Sequence, residues 1–193
     1  MRRRPVSETI SEAHAWLDAG DTARAVGLLE QTLGRRQAAA DRRLLLVELA
    51  AACLLEGDGS LDLALSALDA LAALPDRRSA LELALFEEAA LLTRTAAVPE
   101  PASVQAAFSA GDPRAHFHIA SALLLADEFA AATVHLAAAR SAGSLPDWLM
   151  WRCWSLTGVA FEQLADFSEA ASAIRQALDL APAGEHRELE RLA

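Results

Sequence analysis

Three histidines are the residues of this chain whose types and spacing come nearest to a metal site, because imidazole is a common zinc ligand. His116 and His118 lie two positions apart in an apolar stretch, and His135 follows further along. Residues two apart on a helix point about 200° apart, so His116 and His118 cannot easily face one ion. No Cys, Asp or Glu completes the set at zinc spacing. We therefore predict partly buried or groove-lining histidines and no metal.

The sequence carries no catalytic motif. It has no Gly-x-Ser-x-Gly nucleophile motif and no Gly-rich phosphate loop. Because Lys is absent, there is no P-loop lysine and no Schiff-base lysine. The carboxylates of Glu87 and Glu88 are adjacent, hence on different helix faces, and we interpret both as solvated. We expect no enzymatic activity and no cofactor.

Charge and cysteine usage restrict the partners and the compartment. The net charge of −10 argues against nucleic acid, which needs a basic surface, and favours a neutral or basic protein partner. Cys53 and Cys153 lie in apolar contexts and are interpreted as buried small hydrophobes. No apolar signal-peptide core follows the N-terminal arginines, and the apolar stretch 44–55 is too short to span a membrane. We expect no membrane partner and a cytoplasmic protein.

The elements that must position these residues are helices. The chain has 193 residues, 53% of them hydrophobic, with many Ala and Leu and few β-branched or aromatic residues. Ala and Leu are strong helix formers, whereas strands need β-branched and aromatic side chains. The composition predicts an all-α protein. The absence of Lys, Asn and Tyr is typical of a GC-rich genome, and we expect a bacterial source.

Residues 151–182 contain a repeat motif. The pattern is Trp154-x2-Thr157-Gly158-x2-Phe161, then Ala170-x3-Ile174-x2-Ala177, then Pro182. It resembles the tetratricopeptide (TPR) repeat, a helix-turn-helix of ~34 residues, with Thr157 where the repeat has Leu. The resemblance implies a right-handed superhelical solenoid of antiparallel helix pairs. Since one repeat cannot bury its apolar face alone, further copies are expected.

Small residues at the position of Gly158 locate the other copies. Ala13, Ala52 and Ala120 take this position, and the last two are two repeat lengths of ~34 residues apart, so one repeat lies between them. Its second helix should be short, near 101–110, because of Pro99 and Pro101. We predict one solenoid over residues 6–182, and a C-terminal capping helix that starts in 184–193. Its five units, the middle one degenerate, lie near 6–40, 45–76, 78–110, 113–146 and 148–182.

The TPR resemblance implies that recurring positions on each first helix line a concave groove. Carried over, this predicts a partner-binding surface with an apolar centre. Its residues are Ile10, His14, Leu17, Leu46, Leu49, Cys53, Arg114, Phe117, Ser121, Leu124, Arg152, Val159 and Glu162. Of the Lys, Asn and Arg residues with which some TPR proteins hold a C-terminal carboxylate, only Arg114 and Arg152 are present.

These features favour a non-catalytic scaffold that binds an apolar or amphipathic peptide or helix of another protein. The alternatives are a peptide or small-ligand sensor and a chaperone for a secreted or assembly client. Trp148 and Trp151 either pack internally or bind a partner. The segment 96–110 could instead fold into the groove, and an incompletely capped C-terminal face could cause self-association.

Overall fold

The protein is helical in a computed structural model that describes residues 5–35, 37–56, 58–143 and 145–189. Within these ranges the regular structure consists of α-helices and one 3₁₀ turn, without strands. The predicted all-α class is therefore confirmed. The chain divides into two compact units, Met1–Arg77 and Arg78–Ala193, called here the N-terminal and the C-terminal unit. The single solenoid over residues 6–182 stays a prediction.

The N-terminal unit contains two helix pairs, each packed as a hairpin, and the second helix of the first pair also packs against the second pair. Leu17, Leu29, Leu45 and Leu68 are almost fully buried and form its core. A 3₁₀ turn, Asp58–Ser60, lies between the two helices of the second pair; Gly57 lies outside the described residues. The four helices are α1 Val6–Asp18, α2 Thr22–Leu33, α3 Ala39–Glu56 and α4 Leu61–Ala72.

The C-terminal unit contains three helix pairs and a final single turn of helix. Its connections are short: three residues join α7 to α8 and three join α9 to α10, which makes those neighbours antiparallel. The seven helices are α5 Ala80–Leu92, α6 Pro101–Ala110, α7 Pro113–Leu125, α8 Phe129–Ser141, α9 Asp147–Gln163, α10 Phe167–Leu180 and α11 His186–Leu189.

The first pair of the C-terminal unit is irregular because α6 is short. It spans Pro101–Ala110, as the prolines predict, with Pro101 in its first turn. The helix α7 packs extensively against α5, more than against α6. The Phe108 ring of α6 lies 4.4 Å from the His135 ring of α8, measured between centroids. The helix α6 thus packs against α5 and α7, and its Phe108 ring reaches α8, the second helix of the following pair.

The hairpins after α1, α7 and α9 use one turn geometry. Gly20, Asp127 and Ala165 have φ angles of 77°, 60° and 59°, in the left-handed region. Each of these residues and its successor donates backbone N–H groups to carbonyls of the last helical turn, the Schellman arrangement. A left-handed conformation costs a residue with a Cβ atom about 1 kcal/mol, so only Gly20 adopts it without strain. The two other turns are held by packing of the helices they join.

The small-residue positions are places of close helix contact, as the repeat pattern predicts. Ala13, Ala52 and Ala120 are at most 1% exposed. At Gly158 a Cβ atom would lie 2.5 Å from Cδ1 of Ile174 on α10. The side chain of Ile174 thus occupies the space that any larger residue at position 158 would need.

The C-terminal end of the unit is covered by α11. Leu189 packs against Trp151 and Ala177 in a buried cluster. Trp148 is 1% exposed and Trp151 is 7% exposed, so both pack internally rather than face solvent. Residues 190–193 of the predicted capping helix lie outside the described residues. No helix in the described ranges is both long and apolar enough to cross a membrane.

Candidate functional site

The predicted groove residues of the N-terminal unit lie on α1 and α3. Ile10 and His14 are partly exposed, and the Nε2 atom of His14 lies 2.9 Å from a carboxylate oxygen of the buried Glu48. The other four, Leu17, Leu46, Leu49 and Cys53, are at most 4% exposed and belong to the core.

The predicted groove residues of the C-terminal unit lie on α7 and α9. Phe117 is 3% exposed and packs in the core. Leu124 and Val159 are partly exposed, and Glu162 is exposed. Val159 and Glu162 are three residues apart on α9 and so lie on the same side of that helix, which is in contact with α7, the helix that carries Leu124. Fewer of the predicted groove residues are thus accessible than the TPR resemblance implies.

Arg114 on α7 and Arg152 on α9, two further predicted groove residues, contact tryptophan rings. The guanidinium of Arg152 lies 4.3 Å from the ring centre of Trp151, and that of Arg114 lies 5.9 Å from Trp148. Arg152 also donates to the backbone oxygen of Trp148 at 2.6 Å. Burial lowers the pKa of Arg152 to about 10, which still leaves it protonated at neutral pH. Both arginines therefore pack against tryptophans of their own unit.

The departure of Thr157 from the repeat pattern has a structural explanation. Its hydroxyl donates to the Cys153 backbone oxygen at 2.8 Å and accepts a hydrogen bond from Arg140. The Arg140 guanidinium in turn lies 4.0 Å from the ring centre of Trp154. A leucine at position 157 could not accept this hydrogen bond, so Thr157 is matched to Arg140. This pairing has no signal in the repeat pattern, because Arg140 belongs to the preceding helix.

Both cysteines are free and buried, as the sequence predicts. Burial raises the pKa of the Cys53 thiol to about 12 and that of the Cys153 thiol to about 11. Since the thiolate is the reactive form, neither residue is a nucleophile at neutral pH.

A buried polar network joins α5 to α7. Glu88 accepts a hydrogen bond from the Ser121 hydroxyl at 2.5 Å, and its other carboxylate oxygen lies 2.5 Å from Nδ1 of His118. Glu88 is 5% exposed and His118 is fully buried. The interpretation of Glu88 as a solvated carboxylate is therefore wrong, because direct packing of α7 against α5 encloses it. Its neighbour Glu87 is partly exposed and binds α6 through Ser103.

The set of Ser121, His118 and Glu88 has the residue types of a catalytic triad but not the connectivity. In a triad the serine is hydrogen-bonded to histidine, which takes its proton, and the carboxylate orients the histidine. Here the Ser121 hydroxyl and His118 both bind Glu88 directly. The arrangement satisfies buried polar groups and couples two helices.

The other two histidines form a second buried pair. The Nδ1 atoms of His116 and His135 lie 2.9 Å apart, so one ring donates a hydrogen bond to the other. The Phe108 ring contacts both imidazoles, with ring centroids 4.9 Å from that of His116 and 4.4 Å from that of His135. His116 and His118 thus have different partners, as their spacing predicts. In the described part of the chain, no three His, Cys, Asp or Glu side chains are placed to hold a metal ion.

This histidine pair makes stability depend on pH. Burial lowers the pKa of His135 to about 4, and burial also lowers the pKa of His116, against the opposing charge of Asp112. An unfolded histidine, with its ordinary pKa near ~6.5, binds more protons than the folded one below neutral pH. We therefore expect the urea midpoint to fall as the pH drops from about 7 to about 5, and the decrease to be smaller in His116→Leu/His135→Leu. Equal decreases would contradict this assignment.

No protein-family model and no curated protein matches this chain. Solved structures of MamA are similar to it. MamA AMB-1 has 20% sequence identity and a TM-score of 0.44, with 91% of each chain covered. MamA MSR-1 has 19% identity and a TM-score of 0.45, with 91% of this chain and 95% of that chain covered. A likeness at this level carries no information about function.

Proposed function

We propose that the protein is a non-catalytic scaffold that binds an apolar or amphipathic segment of a partner protein along α7 and α9, the first helices of two pairs of the C-terminal unit. The observation that carries the proposal is the partial exposure of Leu124 and Val159 on α7 and α9, two helices that are in contact. Partly exposed apolar side chains on two helices in contact, with charged Glu162 on the same side of α9 as Val159, suit a peptide with one apolar side.

The interior beneath this face supports a rigid binding surface. Leu123, next to Leu124, and Ala160, next to Val159, are buried. A hydrogen bond from Ser121 to Glu88 connects α7 to α5. A preorganised surface loses little conformational entropy when a partner binds, which favours affinity from a few contacts. The net charge of −10 makes a neutral or basic partner the better match.

The test is affinity capture from the native host with variants of the protein as bait. Phe117 is unsuitable for substitution, because truncating a buried Phe costs about 3–5 kcal/mol of stability. Leu124→Ala/Val159→Ala is expected to lose captured proteins that the unsubstituted protein retains. Val134→Ala is the matched control, since Val134 is a 55% exposed apolar residue on α8 of the same unit. Retention of every partner by the double variant at unchanged helicity would refute the proposal.

A further inference from the structure

Apolar side chains are exposed where the first helices of the C-terminal unit end. Leu125 is 46% exposed at the end of α7, and Leu164 is 43% exposed directly after α9. Phe167, the first residue of α10, is 68% exposed. Short connections make α8 antiparallel to both α7 and α9, and α8 packs against both, so α7 and α9 end at the same edge of the unit. Leu125, Leu164 and Phe167 are called here the turn edge.

Carboxylates flank the residues of the turn edge along the chain, with neither Arg nor Lys among them. They are exposed, and in the described part of the chain none is in an ion pair. No Arg occurs in 115–139 or 153–174, the stretches that contain both turns. The five carboxylates are those of Asp127, Glu128, Glu162, Asp166 and Glu169.

Helix stability does not account for this composition. Asp166 caps α10 by accepting from the Glu169 backbone N–H at 3.3 Å, which explains that one carboxylate. Glu162, however, lies in the last turn of α9, where the helix dipole disfavours a negative charge by about 0.3–1 kcal/mol. Phe167 exposes most of its ring to water at a position where a small polar residue would serve. Glu162 therefore weakens rather than stabilises its own helix, and the exposed Phe167 ring contributes little to the core.

We propose that the turn edge is a docking surface for a basic amphipathic helix of a partner protein. The apolar side of that helix would cover Leu125, Leu164 and Phe167, and its Lys or Arg side chains would face the surrounding carboxylates. Burial of an exposed Phe and two Leu supplies the affinity. The unpaired carboxylates supply orientation and a fast, salt-dependent association. Of the residues on the face of α7 and α9, this surface shares Glu162 but neither Leu124 nor Val159, and the proposal goes beyond the function proposed above.

The probe is a fluorescein-labelled synthetic 18-residue helical peptide with a Leu stripe on one face and Lys on the other. Two control peptides keep the length: one carries Glu in place of Lys, and one has its Leu residues scrambled to remove the stripe. Fluorescence anisotropy at low and at physiological salt measures binding to the full chain. The Leu/Lys peptide is expected to bind, more weakly at higher salt, while both controls bind at least tenfold more weakly.

Variants of the protein locate the binding. Leu164→Ala/Phe167→Ala is expected to raise the Kd of the Leu/Lys peptide at least tenfold, and Asp127→Asn/Glu128→Gln to reduce its salt dependence. Val134→Ala should leave the Kd unchanged. No binding, equal binding of the Leu/Glu peptide, or an unchanged Kd in Leu164→Ala/Phe167→Ala would overturn the proposal. Loss of peptide binding in Leu124→Ala/Val159→Ala alone would instead place the peptide on the face of α7 and α9, leaving the first proposal standing.

Discussion

Gly158→Ala is expected to lower the free energy of unfolding of the C-terminal unit by about 1–3 kcal/mol, the usual cost of overpacking a core. The new Cβ atom would lie 2.5 Å from Cδ1 and 2.7 Å from Cγ1 of Ile174, and 3.4 Å from the Ala170 backbone oxygen. Ile174 is 1% exposed, so its side chain cannot move aside into solvent. Ala is favoured over Gly in a helix by up to about 1 kcal/mol, and the steric cost exceeds that gain.

Gly27 provides the matched control for this substitution. It lies within α2, and a Cβ atom there would have nothing within 4 Å. Gly27→Ala should therefore stabilise the N-terminal unit by about 0.5–1 kcal/mol. Urea denaturation followed by circular dichroism and tryptophan fluorescence measures both effects.

A second-site variant separates the steric cause from others. Ile174→Val removes Cδ1, the atom nearest to the new Cβ, and should restore part of the stability that Gly158→Ala loses. If Gly158→Ala were as stable as the unsubstituted protein, the close contact of α9 and α10 at this position would not exist.

Much of the fold could be predicted because its signals are local. The small residue at Gly158 and the prolines before α6 each act on their own hairpin or helix, and the sequence shows both directly. The period of ~34 residues then extends a single recognisable repeat to its neighbours. The composition predicts the all-α class, and short connections predict antiparallel helix pairs.

The candidate site was harder to predict because its contacts join distant helices. The family pattern placed Leu49, Cys53 and Phe117 on an open groove, but Ala-rich helices pack closely and leave these side chains in the core. The same pattern predicts a partner-binding role for Arg152, whose guanidinium lies over the Trp151 ring. The burial of Glu88 depends on α7 packing directly against α5, which the residues around Glu88 do not show. None of these contacts has a sequence signal within one repeat.

Glu88→Ala is expected to lower the free energy of unfolding by about 2–4 kcal/mol. The substitution would leave Nδ1 of His118 and the Ser121 hydroxyl without their partner between α5 and α7, and an unsatisfied buried polar group costs about 1–3 kcal/mol. Glu87→Ala is the control from the adjacent residue. Glu87 is partly exposed and accepts hydrogen bonds from the Ser103 hydroxyl at 2.7 Å and the Glu100 backbone N–H at 3.1 Å. Glu87→Ala should lower the free energy of unfolding by about 1 kcal/mol and loosen only the attachment of α6.

The triple variant Glu88→Leu/His118→Leu/Ser121→Ala tests whether unsatisfied polar groups cause the loss. Replacing all partners of a buried network by apolar groups of similar size is often nearly neutral, whereas removing one partner is not. The triple variant should therefore be more stable than Glu88→Ala, although it carries more changes. Hydrogen exchange of α5 and α7 amides gives the local readout, with faster exchange in Glu88→Ala and restored protection in the triple variant. A Glu88→Ala protein no less stable than Glu87→Ala would mean that the network does not couple the two helices.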